Sequence, residues 1–495
     1  MKKKYYISFL LLGSLLIFLI LPAINYHTDQ WRVLHHDYHS SYKGISPNKT
    51  FLKVLYLLHQ KEQIDTLLMG SSRSGYMDSK LISENAYNMK FNFALAKMHL
   101  HNLKTLLKNN ITINNLWLGV NDYVIWKDPI DHKSDFQRKL YQPNILNQLD
   151  TYAFYLLKKI DDRDIGILTG KYNLYPSEES TNPDKVNMKT AKARERYTVS
   201  HAKTWREKMT MIKPTLLGYK DNSYRIDEAI KEISDIAALC KQHDINLTVF
   251  MYPSYYKTYL QFNQFKIEEF KRKLASVVNF HDFYMLNEIA LDELKWQDSS
   301  HFHASIGSYM IKKIKQNTFL IKQNTIEEHL QKNRKKISHI LTKNIPIDYI
   351  YQFNSHIDLN TLTPIFDIAL DIDKISTNDQ CVLEKKKGFV QVNTFGPDPI
   401  LILDTFHPHS ENIILNCIIE SKEKTMFQIY YKLKKESPYN EMDTYRIPLK
   451  KGLNKFNLLI PSSYLHHRIR VDIADKLGIY KINNFSLYET GDSNE

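Results

Sequence analysis

Three short pieces of the sequence carry residue types that act together in acyl transfer, in the order nucleophile, oxyanion donor, base. Gly70-Ser71-Ser72-Arg73-Ser74 follows the apolar run Leu67-Leu68-Met69. A strand ending in Gly-x-Ser places a serine hydroxyl at the carboxyl edge of a sheet, where open α/β sheets bind their ligands. Gly119-Val120-Asn121-Asp122 follows Leu116-Trp117-Leu118; here glycine permits close backbone approach, and the asparagine side chain supplies an N–H to a developing oxyanion. In Asp298-Ser299-Ser300-His301 the carboxylate and the imidazole are three residues apart. That spacing fixes the ring in one tautomer and leaves its other nitrogen to take a proton from a serine. Each piece alone is also ordinary turn sequence, because Gly, Ser, Asn and Asp are what turns use. Their weight comes from their order.

The elements that must position these residues alternate between short apolar runs and helical patterns from about Ile64 to Asn317. Leu67–Met69, Phe91–Phe93, Leu116–Leu118, Leu247–Phe250 and Val277–Phe280 read as buried strands, with amphipathic stretches at Leu100–Leu107, Ile226–Leu239 and Ile306–Ile314. Strands alternating with helices imply a parallel sheet covered on both faces. Residues 130–222 break the rhythm with Tyr-, Lys- and Asn-rich sequence and are expected to form a partly helical insertion over the sheet's carboxyl edge. Residues 326–341, with Lys332, Arg334, Lys335 and Lys336 together, read as a solvated connecting helix. Beyond about Pro346 the period becomes two, as in Phe427-Ile429-Tyr431-Leu433 and Ile469-Val471-Ile473, which predicts an antiparallel β-sandwich over residues 346–495. At roughly 150 residues per domain, a chain of 495 residues has room for about three such units.

Composition narrows the classes. Sixty-seven Lys and Arg against 54 Asp and Glu leave a formal charge of +13, which speaks of attraction to anionic surfaces and not of a site. The three cysteines, Cys240, Cys381 and Cys417, are widely spaced and provide neither a disulfide framework nor a C-x-x-C motif. Lys2-Lys3-Lys4 precedes an uncharged run from Tyr5 to Ile24, long enough for one membrane crossing. The lysines predict a cytoplasmic N-terminus, an anchor at residues 1–24 and an extracytoplasmic body at 25–495. The competing reading is a cleaved signal peptide, but no small-x-small cleavage pattern follows in Leu21-Pro22-Ala23-Ile24-Asn25-Tyr26. A chain exported this way is expected to meet membrane surface and acidic glycan, and no nucleic acid.

Gly70-x-Ser72, Gly119-x-Asn121-Asp122 and Asp298-x-x-His301, in that order, resemble the SGNH, or GDSL-like, hydrolase superfamily over about residues 60–317. The resemblance implies a flavodoxin-like three-layer α/β/α domain with a parallel sheet, spanning residues 25–345, and a serine-dependent esterase or acyltransferase without a cofactor. It makes Ser72 the nucleophile, His301 the general base, Asp298 its orienting partner, and Asn121 with the Ser72 backbone N–H the oxyanion donors. Two departures stand out. The usual Gly-Asp-Ser is Gly-Ser-Ser, and the block offering a further backbone N–H best fits Asn92-Phe93-Ala94, where Ala94 stands in place of glycine. Alanine keeps the N–H but adds a methyl group where close approach is needed. The layout of anchor, SGNH-like domain and sandwich looks like the membrane-anchored O-acetyltransferases and esterases of alginate and cell-wall polysaccharides.

The remaining candidates follow from position. Arg73 and Asp122 flank the nucleophile and the oxyanion residue and are expected to contact substrate; Tyr252, at the end of a strand in Tyr252-Pro253-Ser254-Tyr255-Tyr256, is a candidate for stacking on a sugar. His35-His36-Asp37-Tyr38-His39 and His301-Phe302-His303 contain ligand types, but no second ligand set lies at a recognisable spacing, so no metal is expected. The resulting expectation is an extracytoplasmic enzyme that removes or transfers an acyl group, acetyl above all, on a cell-envelope polysaccharide, with a polytopic membrane acyltransferase as a candidate partner. The alternative is a non-catalytic protein of the same build that binds glycan or scaffolds such an acyltransferase.

Overall fold

The computed structural model describes residues 19–60, 64–132, 135–212, 224–260, 262, 264–341, 359, 362–410, 412–432, 435–436, 438–439 and 444–489. Its central element is a six-stranded sheet of β1 (Thr66–Met69), β2 (Ala86–Asn88), β3 (Asn115–Val120), β4 (Asn246–Met251), β5 (Phe280–Asp282) and β6 (Leu320–Ile321). The spatial order is β2-β1-β3-β4-β5-β6. Side chains alternate between two buried faces. Leu67, Met69, Leu116, Leu118, Val249 and Met251 pack under the helices Ala96–Lys108, Ile226–Gln242 and Gln264–Val277. Leu68, Trp117 and Phe250 point the other way, onto Ile306, Met310, Ile311 and Ile314 of the helix Ala304–Lys315. A strand buried on both faces reads as an unbroken apolar run, which is why these segments lack polar alternation.

The sheet corrects the expectation of wholly parallel strands: β2-β1-β3-β4-β5 are parallel, and β6 pairs antiparallel with β5. Asn317 and Phe319 take left-handed φ values of 52° and 61° between the last helix and β6, and a two-residue strand has no periodicity from which its direction can be read. Two strands also fall elsewhere. The segment Phe91–Phe93 lies beyond β2: Phe91 N–H still donates to the Gly70 carbonyl at 3.3 Å, but Phe93 turns the chain at φ 56°. Val277 ends a helix, and β5 begins at Phe280.

Residues 130–222 contribute the helices Ile145–Leu156, Asp162–Leu168, Pro183–Ser200 and Ala202–Met211 and a strand, Leu174–Pro176, paired with Ser40–Tyr42; residues 213–222 of this insertion lie outside the described residues. The helix Ile326–Leu341 is docked, not solvated. Ile326 and Leu330 are buried, His329 Nε2 lies 2.6 Å from Asp282, and Asn333 accepts from Leu286 N–H and donates to the Tyr259 hydroxyl.

The membrane anchor and the compartment inferred from it are corrected too. Among the described residues no helix is long and apolar enough to cross a membrane. Most of the expected segment, residues 5–18, lies outside the described residues. In the helical stretch 19–28, Asn25 is buried and donates to the carbonyls of Leu156 and Lys158, and the Thr28 hydroxyl donates to Asp164. These polar groups are satisfied by protein.

Residues 364–489 form two antiparallel sheets; the expected boundary at Pro346 lies outside the described residues. One has the order β8 (Ile375–Thr377), β11 (Ile400–Leu403), β16 (Ile469–Asp472), β13 (Thr425–Tyr430), β14 (Thr444–Leu449). The other runs β9 (Cys381–Lys386), β10 (Phe389–Thr394), β17 (Gly478–Glu489), β12 (Asn412–Ser421), β15 (Gly452–Pro461), with β7 (Pro364–Asp367) also on β17. Phe427 of the first sheet meets Phe456 and Phe485 of the second at ring-centroid distances of 5.3 and 6.3 Å.

Just beyond β2 the fold buries two lysines. Lys53 Nζ donates to the carbonyls of Asn88 and Lys90 at 2.7 and 3.0 Å. Burial, with help from the Lys49 charge, pulls the Lys90 ammonium down to about 7. The folded state therefore holds this proton less tightly than the unfolded chain. The destabilisation is fully present below pH about 7 and fades as pH rises toward the ordinary lysine value. Lys90→Met is expected to raise the urea midpoint at pH 7 and to flatten the rise in stability between pH about 7 and 10; an unchanged pH profile would disprove this assignment.

Candidate active site

Ser72 meets His301 beyond the carboxyl end of β1, and Asn121, beyond the end of β3, is hydrogen-bonded to the neighbouring Ser71. The chain leaves β1 toward β2 on one side and returns to β3 on the other, so the loops after these two strands diverge and leave a crevice. At the end of β1, Ser71 caps a short 3-10 turn, Ser72–Tyr76, by accepting from Arg73 N–H. The cap sets Ser72 at the first position of the turn.

Ser72 Oγ lies 2.9 Å from His301 Nε2, and His301 Nδ1 lies 2.9 and 3.1 Å from the two carboxylate oxygens of Asp298. With Nδ1 facing a carboxylate, the neutral ring carries its proton there and leaves Nε2 to accept from the serine. Asp298 also accepts from the backbone N–H groups of Ser300 and His301 at 2.7 and 2.8 Å. Burial pushes its carboxyl upward, but the His301 ring and these N–H groups together outweigh burial and hold it below the usual carboxylate range. Asn121 accepts from the Ser71 hydroxyl at 2.9 Å through Oδ1. That bond turns the amide so that Nδ2, buried and without a partner among the described residues, is free to donate.

Other expected contacts are corrected by burial. The Arg73 side chain is 2% exposed; it lies 3.4 Å from Asp122, and its Nε donates to the Ser300 carbonyl at 3.0 Å. Burial works against the guanidinium charge, and the facing Asp122 carboxylate outweighs it. These two residues join the loops carrying Ser72, Asn121 and His301, and their inward direction removes them from substrate contact. Tyr252 is fully buried, with its hydroxyl against Ser74 Oγ, so it presents no face to a sugar. It explains both glycines instead: a Cβ on Gly70 or Gly119 would stand 2.1 or 1.9 Å from the Tyr252 hydroxyl. Ala94 is buried, and its carbonyl accepts from the Tyr123 hydroxyl at 3.2 Å.

The cluster at residues 35–39 is used within the fold, whereas His303 is buried with neither ring nitrogen hydrogen-bonded among the described residues. His36 Nε2 lies 2.6 Å from the Tyr152 hydroxyl, His35 faces Asp29 at 3.3 Å, and Asp37 pairs with Arg32. Among the described residues no three His, Cys, Asp or Glu side chains converge as a metal site.

Sequence spacing gave no sign of what borders the triad. Tyr76 places its ring 5.6 Å from that of His301. Arg194 donates to Gln297 Oε1 at 3.2 Å, and Trp205 Nε1 to the Trp296 carbonyl at 2.9 Å. Arg194 and Trp205 come from the insertion helices, and no local motif ties them to residues about 100 positions later.

No protein-family profile matches the chain, and no curated protein does. Among solved structures, a carbohydrate-binding module, BiXyn10A CBM1, matches at 7% identity over 23% of this chain and 89% of its own, with a TM-score of 0.20. The CBM22-1 and GH10 modules of Clostridium thermocellum endo-1,4-beta-D-xylanase 10B match at 9% identity over 25% of this chain and 27% of theirs, also with a TM-score of 0.20. A family 29 carbohydrate-binding module from Piromyces equi matches at 8% identity over 25% of this chain and 85% of its own, with a TM-score of 0.19. Likenesses at this level carry no argument about this chain.

The Arg73–Asp122 pair sets the stability of this corner. Arg73→Met leaves a buried carboxylate without its counter-charge and is expected to cost about 3–5 kcal/mol in urea unfolding, whereas the double variant Arg73→Met/Asp122→Leu is expected to cost less than Arg73→Met alone. Wild-type stability in Arg73→Met would exclude the clamp.

Proposed function

We propose that this protein is a serine-dependent esterase or O-acyltransferase of the SGNH-like kind acting on a polysaccharide. The observation that carries the reading is the unbroken chain from Ser72 Oγ through His301 to Asp298, with distances of 2.9 and 2.9 Å. A serine hydroxyl is a weak nucleophile until a neighbouring base takes its proton. As Ser72 Oγ attacks the ester carbonyl, its proton passes to His301 Nε2, and Asp298 stabilises the imidazolium. The negative charge moves onto the carbonyl oxygen, toward the Asn121 Nδ2 and Ser72 backbone N–H donors. The intermediate collapses, and His301 gives its proton to the departing alkoxide. Water or a sugar hydroxyl, deprotonated by the same nitrogen, then attacks the acyl-serine carbonyl; the bond to Ser72 Oγ breaks, and His301 returns the proton to that oxygen.

A fluorophosphonate is expected to label the purified protein at Ser72, and Ser72→Ala and His301→Ala are each expected to abolish both the label and the cleavage of p-nitrophenyl acetate. Asp298→Asn is expected to slow cleavage steeply, on the order of the 10⁴-fold found for the equivalent change in a serine protease. Asn121→Ala is expected to cost about 10²–10³-fold in turnover while slow labelling persists, since it removes a donor and leaves the nucleophile. A folded preparation that takes no label at Ser72 would overturn the reading.

A further inference from the structure

Beside the triad lies a cleft of about 280 Å³ lined by Arg194, Tyr197, Trp205, Lys208, Gln297 and Asp298. Asp298 belongs to both: its carboxylate orients His301, and the same residue forms one wall of the cleft. The other walls come mostly from the helices Pro183–Ser200 and Ala202–Met211. These helices are anchored at the site, because Glu195 accepts from Ser305 N–H at 3.1 Å and Trp205 Nε1 donates to the Trp296 carbonyl.

We propose that this cleft is a subsite for an acidic sugar unit, one bearing a carboxylate, next to the ester-bearing unit of the substrate; the inference rests on the acyl-transfer reading above and names the class of glycan. Three observations converge on it. First, the lining is net positive, with Arg194 and Lys208 against the single carboxylate of Asp298. Neither Arg194 nor Lys208 forms an ion pair among the described residues, and Asp298, the one acidic residue of the lining, is committed to His301. The two helices carry eight Lys and Arg against three Asp and Glu, of which Asp184 is buried. Second, the charges are held and not free to swing away. Arg194 is tied to Gln297, and Lys208 Nζ sits 4.1 Å over the Trp205 ring, which is itself fixed by its indole hydrogen bond. Planar Arg194 retains N–H groups for the two-pronged hydrogen bonding that a carboxylate accepts. Third, Tyr197, 56% exposed and stacked on His201 at 4.2 Å, offers aromatic surface beside the cations. A pyranose has an apolar C–H face and a polar rim, and an aromatic wall beside a cationic one matches a sugar that carries its charge on the rim.

The test measures binding by calorimetry with the full chain, using oligogalacturonate, its methyl-esterified form and poly(glycerol phosphate) as probes. Oligogalacturonate is expected to bind with an affinity that falls as salt rises. The esterified form is expected to bind at least about tenfold more weakly, as are Lys208→Gln and Arg194→Gln toward the acidic form, whereas Lys208→Arg is expected to retain affinity. Equal binding of the acidic and esterified oligomers, or wild-type affinity in both glutamine variants, would overturn the inference; tighter binding of poly(glycerol phosphate) would overturn its assignment to a carboxylate. Fluorophosphonate labelling of the wild-type protein separates the two readings. Label at Ser72 without charge-dependent binding sinks the subsite alone, and charge-dependent binding without label sinks the catalytic reading alone.

Discussion

The geometry of the candidate site depends on one buried ion pair. Arg73 follows the serine, Asp122 follows the asparagine, and the guanidinium also takes the carbonyl of Ser300, which precedes the histidine. Three loops that leave different parts of the fold are thus held by one planar cation. The pair itself is long, at 3.4 Å, and the buried Arg73 Nη1 has no hydrogen-bond partner among the described residues, so what holds it is mainly charge in a buried site. Removing either partner would leave the other charge buried and uncompensated, which ties the three loops to one another.

Beneath that clamp lies the packing that makes it affordable. Gly70 and Gly119 leave room for the Tyr252 hydroxyl under the loops, and Gly307 lets the helix Ala304–Lys315 approach the Tyr76 carbonyl, which a Cβ would meet at 1.9 Å. Strand ends, serine turn and last helix are brought together by removing side chains at these contacts. Above the clamp, the insertion helices add a wall that the central sheet lacks, and they bring most of the charge found next to Asp298.

Legibility in the sequence followed distance along the chain. Ser72, Asn121, Asp298 and His301 could be picked out because each lies in a short polar segment, two of them directly after apolar runs and the other two sharing one loop; Ser72, His301 and Asp298 lie in one hydrogen-bonded chain, and Asn121 is bonded to Ser71. The direction of Arg73 could not be read, because its partners lie 49 and 227 positions away. Tyr252 looked like a surface aromatic at a strand end and is a buried spacer. The helix at 326–341 looked wet from its charges, yet Ile326, Leu330 and Asn333 on its inner side are buried. Amphipathic pattern shows that a helix has a polar face, but not how much of the other face finds a partner.

By itself the sequence determined the local chemistry: a serine after a strand, an amide after the next, and a carboxylate and an imidazole spaced to share a proton. It also determined that period two replaces the helical period toward the C-terminus, because side-chain alternation is a property of the chain within a few residues. Only the tertiary structure decided that β6 runs antiparallel, that Arg73 and Asp122 face inward, and that Arg194 and Lys208 stand beside Asp298. Each of these depends on which distant segments are neighbours, and neighbourhood is set by the packing of whole elements, for which no spacing in the sequence is a measure.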